Sequence, residues 1–174
     1  VYKFSSVYES YVRENTSNKT WIANTNKLVR FYEGADGLKT GSTTDAGKCI
    51  AATAKRNGLR LIAISLGYKD VTTRNKETMD LLDYGFNQYE INMLYEKDKK
   101  VGTINVDKVN EKIDLYAKDD IFILKKKIDE RVSYQYEIVL DNVSYPIKKG
   151  QKIATLYVKD NNTIVKKSPF SELR

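Results

Sequence analysis

Two apolar runs, residues 49–55 and 59–66, are separated only by Arg56-Asn57-Gly58. Asn-Gly is a strong short-range hairpin signal, because the tight turn that matches the twist of two strands needs positive φ at both central residues. The runs are therefore expected to form neighbouring antiparallel strands. The second, Leu59-Arg60-Leu61-Ile62-Ala63-Ile64-Ser65-Leu66, is nearly all apolar. That pattern predicts a central strand, covered on both faces. Gly67 ends it, and Asp70 or Thr72 can cap a helix that follows. Met79, Leu82, Phe86 and Tyr89 then recur at helical spacing, giving one apolar stripe able to pack on a sheet. Strand, turn, strand and helix predict an α+β unit that ends near Glu90.

Upstream of the hairpin the signals are weaker. Tyr8, Tyr11 and Val12 fit a short helix within residues 2–13, and Thr16-Ser17-Asn18-Lys19 reads as a polar turn. Residues 21–28 are too irregular to assign. Downstream of Tyr95 short strand-like segments alternate with turns: residues 101–104, 113–116, 121–124, 133–140, 143–147, 151–158 and 163–165. In the fourth of these, Tyr134, Tyr136, Ile138 and Leu140 share one phase, which predicts a half-buried strand. Asp141-Asn142 is read as a two-residue hairpin turn and Lys148-Lys149-Gly150 as another turn. So many short strands predict a small all-β sandwich. The expected division is 1–92 and 93–174.

Composition removes several chemistries. The sequence has no His, so a Ser-His-Asp triad, a Cys-His pair and a His-ligated zinc cannot be built. Cys49 is the sole cysteine; in the apolar run Cys49-Ile50-Ala51-Ala52 it is expected to be a buried structural thiol. No cofactor or metal is expected. The net charge is +7, with 13 basic and 10 acidic residues up to Glu90 and 17 and 13 beyond it. The two halves thus carry +3 and +4, an even spread that argues against a nucleic-acid partner, which would favour a concentrated basic face. The 13 Tyr could stack on bases, but Tyr134, Tyr136 and Tyr89 fall on packing phases instead. No run reaches the roughly 18 apolar residues of a membrane span. Val1-Tyr2-Lys3-Phe4 has neither an initiator Met nor a signal segment, so the chain is expected to begin inside a longer protein.

The stretch with chemical content is Asp36-Gly37-Leu38-Lys39-Thr40-Gly41-Ser42-Thr43. Its strand stands directly before the hairpin and is expected to lie antiparallel beside it. Lys-Thr-Gly alone is a weak signal, and its bland reading is a surface strand that turns at Gly41. On an edge strand, though, free backbone groups can pair with an extended peptide. Lys39 and Thr40 offer a fixed cation and a hydroxyl donor to an anion, and Gly41 lets a ligand approach the backbone.

The motif and its neighbours resemble the low-molecular-weight penicillin-binding proteins of the serine D-alanyl-D-alanine carboxypeptidase type, whose third motif is Lys-Thr-Gly. The likeness runs in order through Asn24-Thr25-Asn26-Lys27-Leu28, Gly34 to Thr43, Ala46-Gly47, Ala51-Ala52-Thr53-Ala54, Arg60-Leu61-Ile62 and Leu81-Leu82-Asp83-Tyr84-Gly85-Phe86. Tyr145-Pro146-Ile147-Lys148-Lys149-Gly150-Gln151 is similar to the family's C-terminal β domain. The resemblance implies a partial penicillin-binding/β-lactamase-like antiparallel sheet with a packing helix, followed by the β domain.

By the same resemblance, Lys39, Thr40 and Gly41 would bind the terminal carboxylate of a peptidoglycan stem peptide ending in D-Ala-D-Ala, or that of a β-lactam. The backbone N–H of Ser42 would supply half of an oxyanion hole, although many relatives have an aromatic residue or His there. The family's Ser-x-x-Lys and Ser-x-Asn are absent: no Ser has Lys three residues on, and none has Asn two residues on. The chain alone is therefore expected to be inactive, with its sheet partly uncovered and open to dimerisation or strand exchange. Location outside the bacterial cytoplasmic membrane, with the parent protein peripheral to it, is implied in the same way. The alternative is a non-catalytic wall-binding or scaffold protein that reuses the fold.

Overall fold

A computed structural model describes residues 1–106, 111–128, 133–142 and 146–172. The chain divides into two compact units, Val1–Glu90 and Ile91–Arg174. The first opens with one helical turn, α1 (Tyr2–Ser5), followed by β1 (Glu9–Val12) and β2 (Thr20–Ala23). These strands pair antiparallel, with Tyr11 opposite Trp21 and Glu9 opposite Ala23. The helix expected over residues 2–13 is thus cut to a single turn. Residues 9–12 gain cross-strand partners from residues 20–23 instead, and a four-residue helix has little intrinsic stability to oppose that. The turn expected at Thr16-Ser17-Asn18-Lys19 is present, with Lys19 N donating to Thr16 O at 3.2 Å.

After α2 (Leu28–Phe31) come β3 (Ala35–Thr43), β4 (Gly47–Arg56) and β5 (Leu59–Tyr68), which form an antiparallel sheet in that order. Asn57 and Gly58 take φ of 48° and 82°, the paired positive values that a primed hairpin turn demands. β4 is the central strand, with Ile50, Ala52, Thr53 and Ala54 all buried. β5 was expected to hold that place and does not. It lies at an edge, with Ile62, Ile64 and Leu66 left 61%, 64% and 68% exposed. The opposite face of β5 is covered by α3 (Val71–Gln88), where Thr78 Oγ1 donates to Ser65 Oγ at 2.8 Å.

Asp70 caps α3 by accepting the Thr73 N–H at 2.8 Å. The helix buries Arg74, Thr78, Leu82 and Phe86, one residue per turn. Met79 and Tyr89 of the expected stripe are only half-buried. Cys49 is also half-buried rather than enclosed, and its thiol donates to Ala46 O at 3.2 Å.

The second unit is all β: β6 (Tyr89–Tyr95), β7 (Lys100–Val106), β8 (Glu111–Ala117), β9 (Ile121–Lys126), β10 (Gln135–Leu140), β11 (Lys152–Asp160) and β12 (Thr163–Ser171). A five-stranded antiparallel sheet, ordered β10-β11-β12-β8-β7, encloses its core with the two-stranded sheet β6-β9. Leu115, Ile121, Ile153, Leu156, Val158 and Phe170 form the centre, with Tyr95 edge-on to Phe170 at 5.7 Å. The expected fold class therefore holds, α+β followed by a small all-β sandwich.

Two details differ. β10 is exposed along its whole length rather than half-buried, because it is an edge strand that no layer covers among the described residues. Its partner is β11, with Leu140 opposite Ala154 and Asp141 N donating to Ile153 O; the residues onto which Asp141-Asn142 is expected to turn, 143–145, lie outside the described set. The strand expected over 143–147 falls largely on residues outside the described set, as does Tyr145. The turn at Lys148-Lys149-Gly150 is present, with Gln151 N donating to Lys148 O at 2.9 Å.

Candidate active-site strand

β3 is an edge strand, with β4 on one side and no strand on the other among the described residues. Its start is held firmly. Gly34 takes φ of 78° and its carbonyl accepts from Lys55 N at 2.9 Å, so the chain turns into the sheet tightly against β4. Two residues on, the Asp36 carboxylate accepts two bonds from Arg60, Nη1 at 2.8 Å and Nη2 at 2.7 Å, and a third from Thr53 Oγ1. Those bonds, led by the one from Arg60, hold the Asp36 carboxyl below the usual carboxylate range. Ser5 Oγ donates to Asp36 O at 2.7 Å, tying α1 to the same point.

From this anchor the strand runs out to Lys39, Thr40, Gly41 and Ser42. Lys39 is exposed, and its ammonium donates to Thr40 O at 2.5 Å. Cross-strand partners share a face. Lys39 therefore shares one with Ala51 and the exposed Ile64, while Thr40 shares the other with Ile50 and Ser65, beneath α3. Gly41 is exposed opposite Cys49, and Ser42 is exposed with its hydroxyl accepting from Lys48 Nζ at 2.8 Å. The four residues marked by sequence thus lie consecutively on one open strand, with a cation on one face and a hydroxyl on the other.

Residues not singled out by sequence also converge here. Thr25 and Thr40 share a hydroxyl–hydroxyl hydrogen bond of 2.8 Å, which brings the segment after β2 against the strand. Arg74 is buried to 3% exposure behind β4, where Nη1 donates to Cys49 O at 3.1 Å and Nη2 to Asn75 Oδ1 at 2.7 Å. Among the described residues no carboxylate pairs with Arg74, and burial pulls its pKa down. A polar residue heading the stripe Arg74-Thr78-Leu82-Phe86 was the one signal that could have exposed it.

Comparison with known proteins resolves what this strand belongs to. The family model described as D-alanyl-D-alanine carboxypeptidase matches residues 1–70. The model described as penicillin-binding protein 5, C-terminal domain, matches residues 89–172. The chain belongs to the D-alanyl-D-alanine carboxypeptidase family.

D-alanyl-D-alanine carboxypeptidase DacF of Bacillus subtilis is 40% identical over 171 residues, covering 97% of this chain and 44% of that protein. DacA of Haemophilus influenzae is 34% identical over 152 residues, covering 84% of this chain and 38% of that protein. Among solved structures, penicillin-binding protein 5 of Haemophilus influenzae aligns with a TM-score of 0.71 and 26% identity, over 99% of this chain and 50% of that one. This carboxypeptidase-family chain therefore spans less than half the length of these curated relatives. Both of its units have counterparts in penicillin-binding proteins: one carries the Lys-Thr-Gly strand, the other is the β domain. Among the described residues no helix is long and apolar enough to cross a membrane.

Proposed function

We propose that β3 is one wall of a site that holds the C-terminal D-Ala-D-Ala of a peptidoglycan stem peptide, in a serine carboxypeptidase that removes the last D-Ala. The observation that carries this reading is the open edge of β3, with Lys39 exposed and Thr40, Gly41 and Ser42 following it. An extended peptide can add to that edge by main-chain bonds, with its carboxylate near the Lys39 cation and the Thr40 hydroxyl. The Ser42 N–H serves as an oxyanion donor. Such a donor is worth about 3 to 4 kcal/mol in acyl transfer.

The nucleophile is a serine of a Ser-x-x-Lys motif that this sequence does not contain. Its hydroxyl oxygen attacks the penultimate carbonyl carbon, the amide C–N bond breaks, and D-Ala leaves as the amine after taking up a proton. Water then hydrolyses the ester. β-Lactams, which carry an equivalent carboxylate, acylate the same serine. The protein acts outside the cytoplasmic membrane, and the 174-residue chain by itself is inactive and prone to pair through its open sheet.

Intact mass after incubation with benzylpenicillin tests the reading, on the protein at its full natural length and on the 174-residue chain. A penicilloyl adduct on the long protein alone is expected, with Lys39→Ala slowing its formation. No adduct on either would leave the non-catalytic wall-binding scaffold as the better reading.

A further inference from the structure

The hydroxyl of Thr40 is bonded to that of Thr25 at 2.8 Å, with either able to donate, and a carboxylate bound at Thr40 would give this contact a direction. Thr25 sits between two asparagines whose side-chain oxygens each accept a backbone N–H. Asn24 Nδ2 donates to Ser5 O at 3.0 Å and to Val7 O at 3.1 Å, while its Oδ1 accepts from Asn26 N at 2.9 Å. Asn26 is fully buried and accepts from Leu28 N at 3.1 Å. The backbone on either side of Thr25 is therefore fixed, and its β-branched side chain has few rotamers to choose among. Thr25 itself is exposed, and its hydroxyl meets the motif strand.

A hydroxyl has one proton to give and two lone pairs to receive. With no ligand, either threonine can donate to the other. An ionised carboxylate only accepts, so a carboxylate at Thr40 accepts the hydrogen bond that the Thr40 hydroxyl donates. The Thr25–Thr40 bond then has one polarity left: Thr25 donates and Thr40 accepts. A hydroxyl that accepts one bond while donating another is a better donor, because the chain of bonds polarises along its length.

We propose that Thr25 is a positioning residue that orients the Thr40 hydroxyl, and so sharpens the site for ligands bearing a carboxylate beside the bond to be broken. This rests on the carboxypeptidase reading above. It assigns a role to a residue outside Lys-Thr-Gly, acting through Thr40 rather than on the ligand.

The test uses the protein at its full natural length and two acylating agents, benzylpenicillin and its methyl ester, which lacks the free carboxylate. Thr25→Val keeps the shape and removes the hydroxyl. It is expected to lower the second-order acylation rate by benzylpenicillin about fivefold to tenfold, the worth of one hydrogen bond, and to leave the rate with the ester within about twofold. Thr25→Ser is expected to restore the benzylpenicillin rate. Combined with Thr40→Val, Thr25→Val should cost nothing further, since its effect passes through that hydroxyl.

Equal losses with both agents, additive losses with Thr40→Val, no rescue by Ser, or an unchanged benzylpenicillin rate would each overturn the inference while leaving the carboxypeptidase reading intact. Failure of the unsubstituted protein to acylate at all overturns that reading, and this inference with it.

Discussion

Asp36 and Arg60 meet in a two-point pair, Nη1 to Oδ1 at 2.8 Å and Nη2 to Oδ2 at 2.7 Å, joining the start of the motif strand to the far strand of the sheet. Both side chains are mostly buried, and Arg60 also lies over the Tyr2 ring at 4.0 Å. Removing one partner strands the other, so Arg60→Ala is expected to cost about 2 kcal/mol in urea unfolding at neutral pH. The folded protein holds the Asp36 carboxyl below its ordinary range, chiefly through Arg60. A depressed carboxylate pKa contributes stability that is present above the unfolded value near 4 and lost as pH falls through the folded value. The gap between the original and Arg60→Ala should therefore narrow below about pH 4. A gap that stays constant into acid would show that the carboxylate is not what Arg60 serves.

Tyr32 donates to Asp83 Oδ1 at 2.6 Å, and Arg56 reaches the same oxygen at 3.2 Å while lying 4.4 Å above the Tyr32 ring. Burial first, then the bond to Asp83, pushes the Tyr32 hydroxyl well above its ordinary pKa. Because the folded pKa is raised, the stabilisation is complete below the unfolded value near 10 and is lost as pH climbs past it. Tyr32→Phe should cost about 1 kcal/mol at neutral pH, with a difference that shrinks in strong alkali. Denaturant melts at neutral and alkaline pH decide it; a difference that widens in alkali would contradict the assignment.

Ile62, Ile64 and Leu66 present an apolar row on the face that carries Lys39, along a strand edge with no partner among the described residues. Open edges with apolar side chains favour pairing between copies. The 174-residue chain alone should self-associate as its concentration rises in sedimentation velocity, and Ile64→Lys with Leu66→Lys should keep it monomeric. Monomeric behaviour of the unsubstituted chain at high concentration would count against this.

Arg74 spends its burial on a backbone carbonyl and an amide rather than on a carboxylate. Replacing a desolvated charge by an apolar chain of similar length is often neutral for stability. Arg74→Met should thus leave the melting temperature nearly unchanged. Because Arg74 bonds the carbonyl of Cys49, the residue opposite Gly41, the same change should slow penicillin acylation of the full-length protein severalfold. A large drop in melting temperature with normal acylation would make Arg74 a purely structural residue.

What could be read from sequence was local. Asn57-Gly58 specifies its turn because few other residue pairs tolerate two positive φ values in succession. Asp70 caps α3 because its carboxylate reaches an amide three residues away, and the short apolar segments of the second half become strands wherever neighbours supply partners. Lys39, Thr40, Gly41 and Ser42 are contiguous in sequence, so one strand suffices to bring them together. Covering and pairing were decided by tertiary structure. Leu59-Arg60-Leu61-Ile62-Ala63-Ile64-Ser65-Leu66 has the composition of a central strand, yet what lies on each face depends on elements distant in sequence: α3 covers one face, while Ile62, Ile64 and Leu66 stay exposed on the other. The exposure of β10, the pairing of β1 with β2, the burial of Arg74 and the bond from Thr25 to Thr40 are of the same kind. Each is set by contacts between segments whose separation no local periodicity encodes, so a sequence specifies the strand and the turn while the packed chain decides which side chains meet.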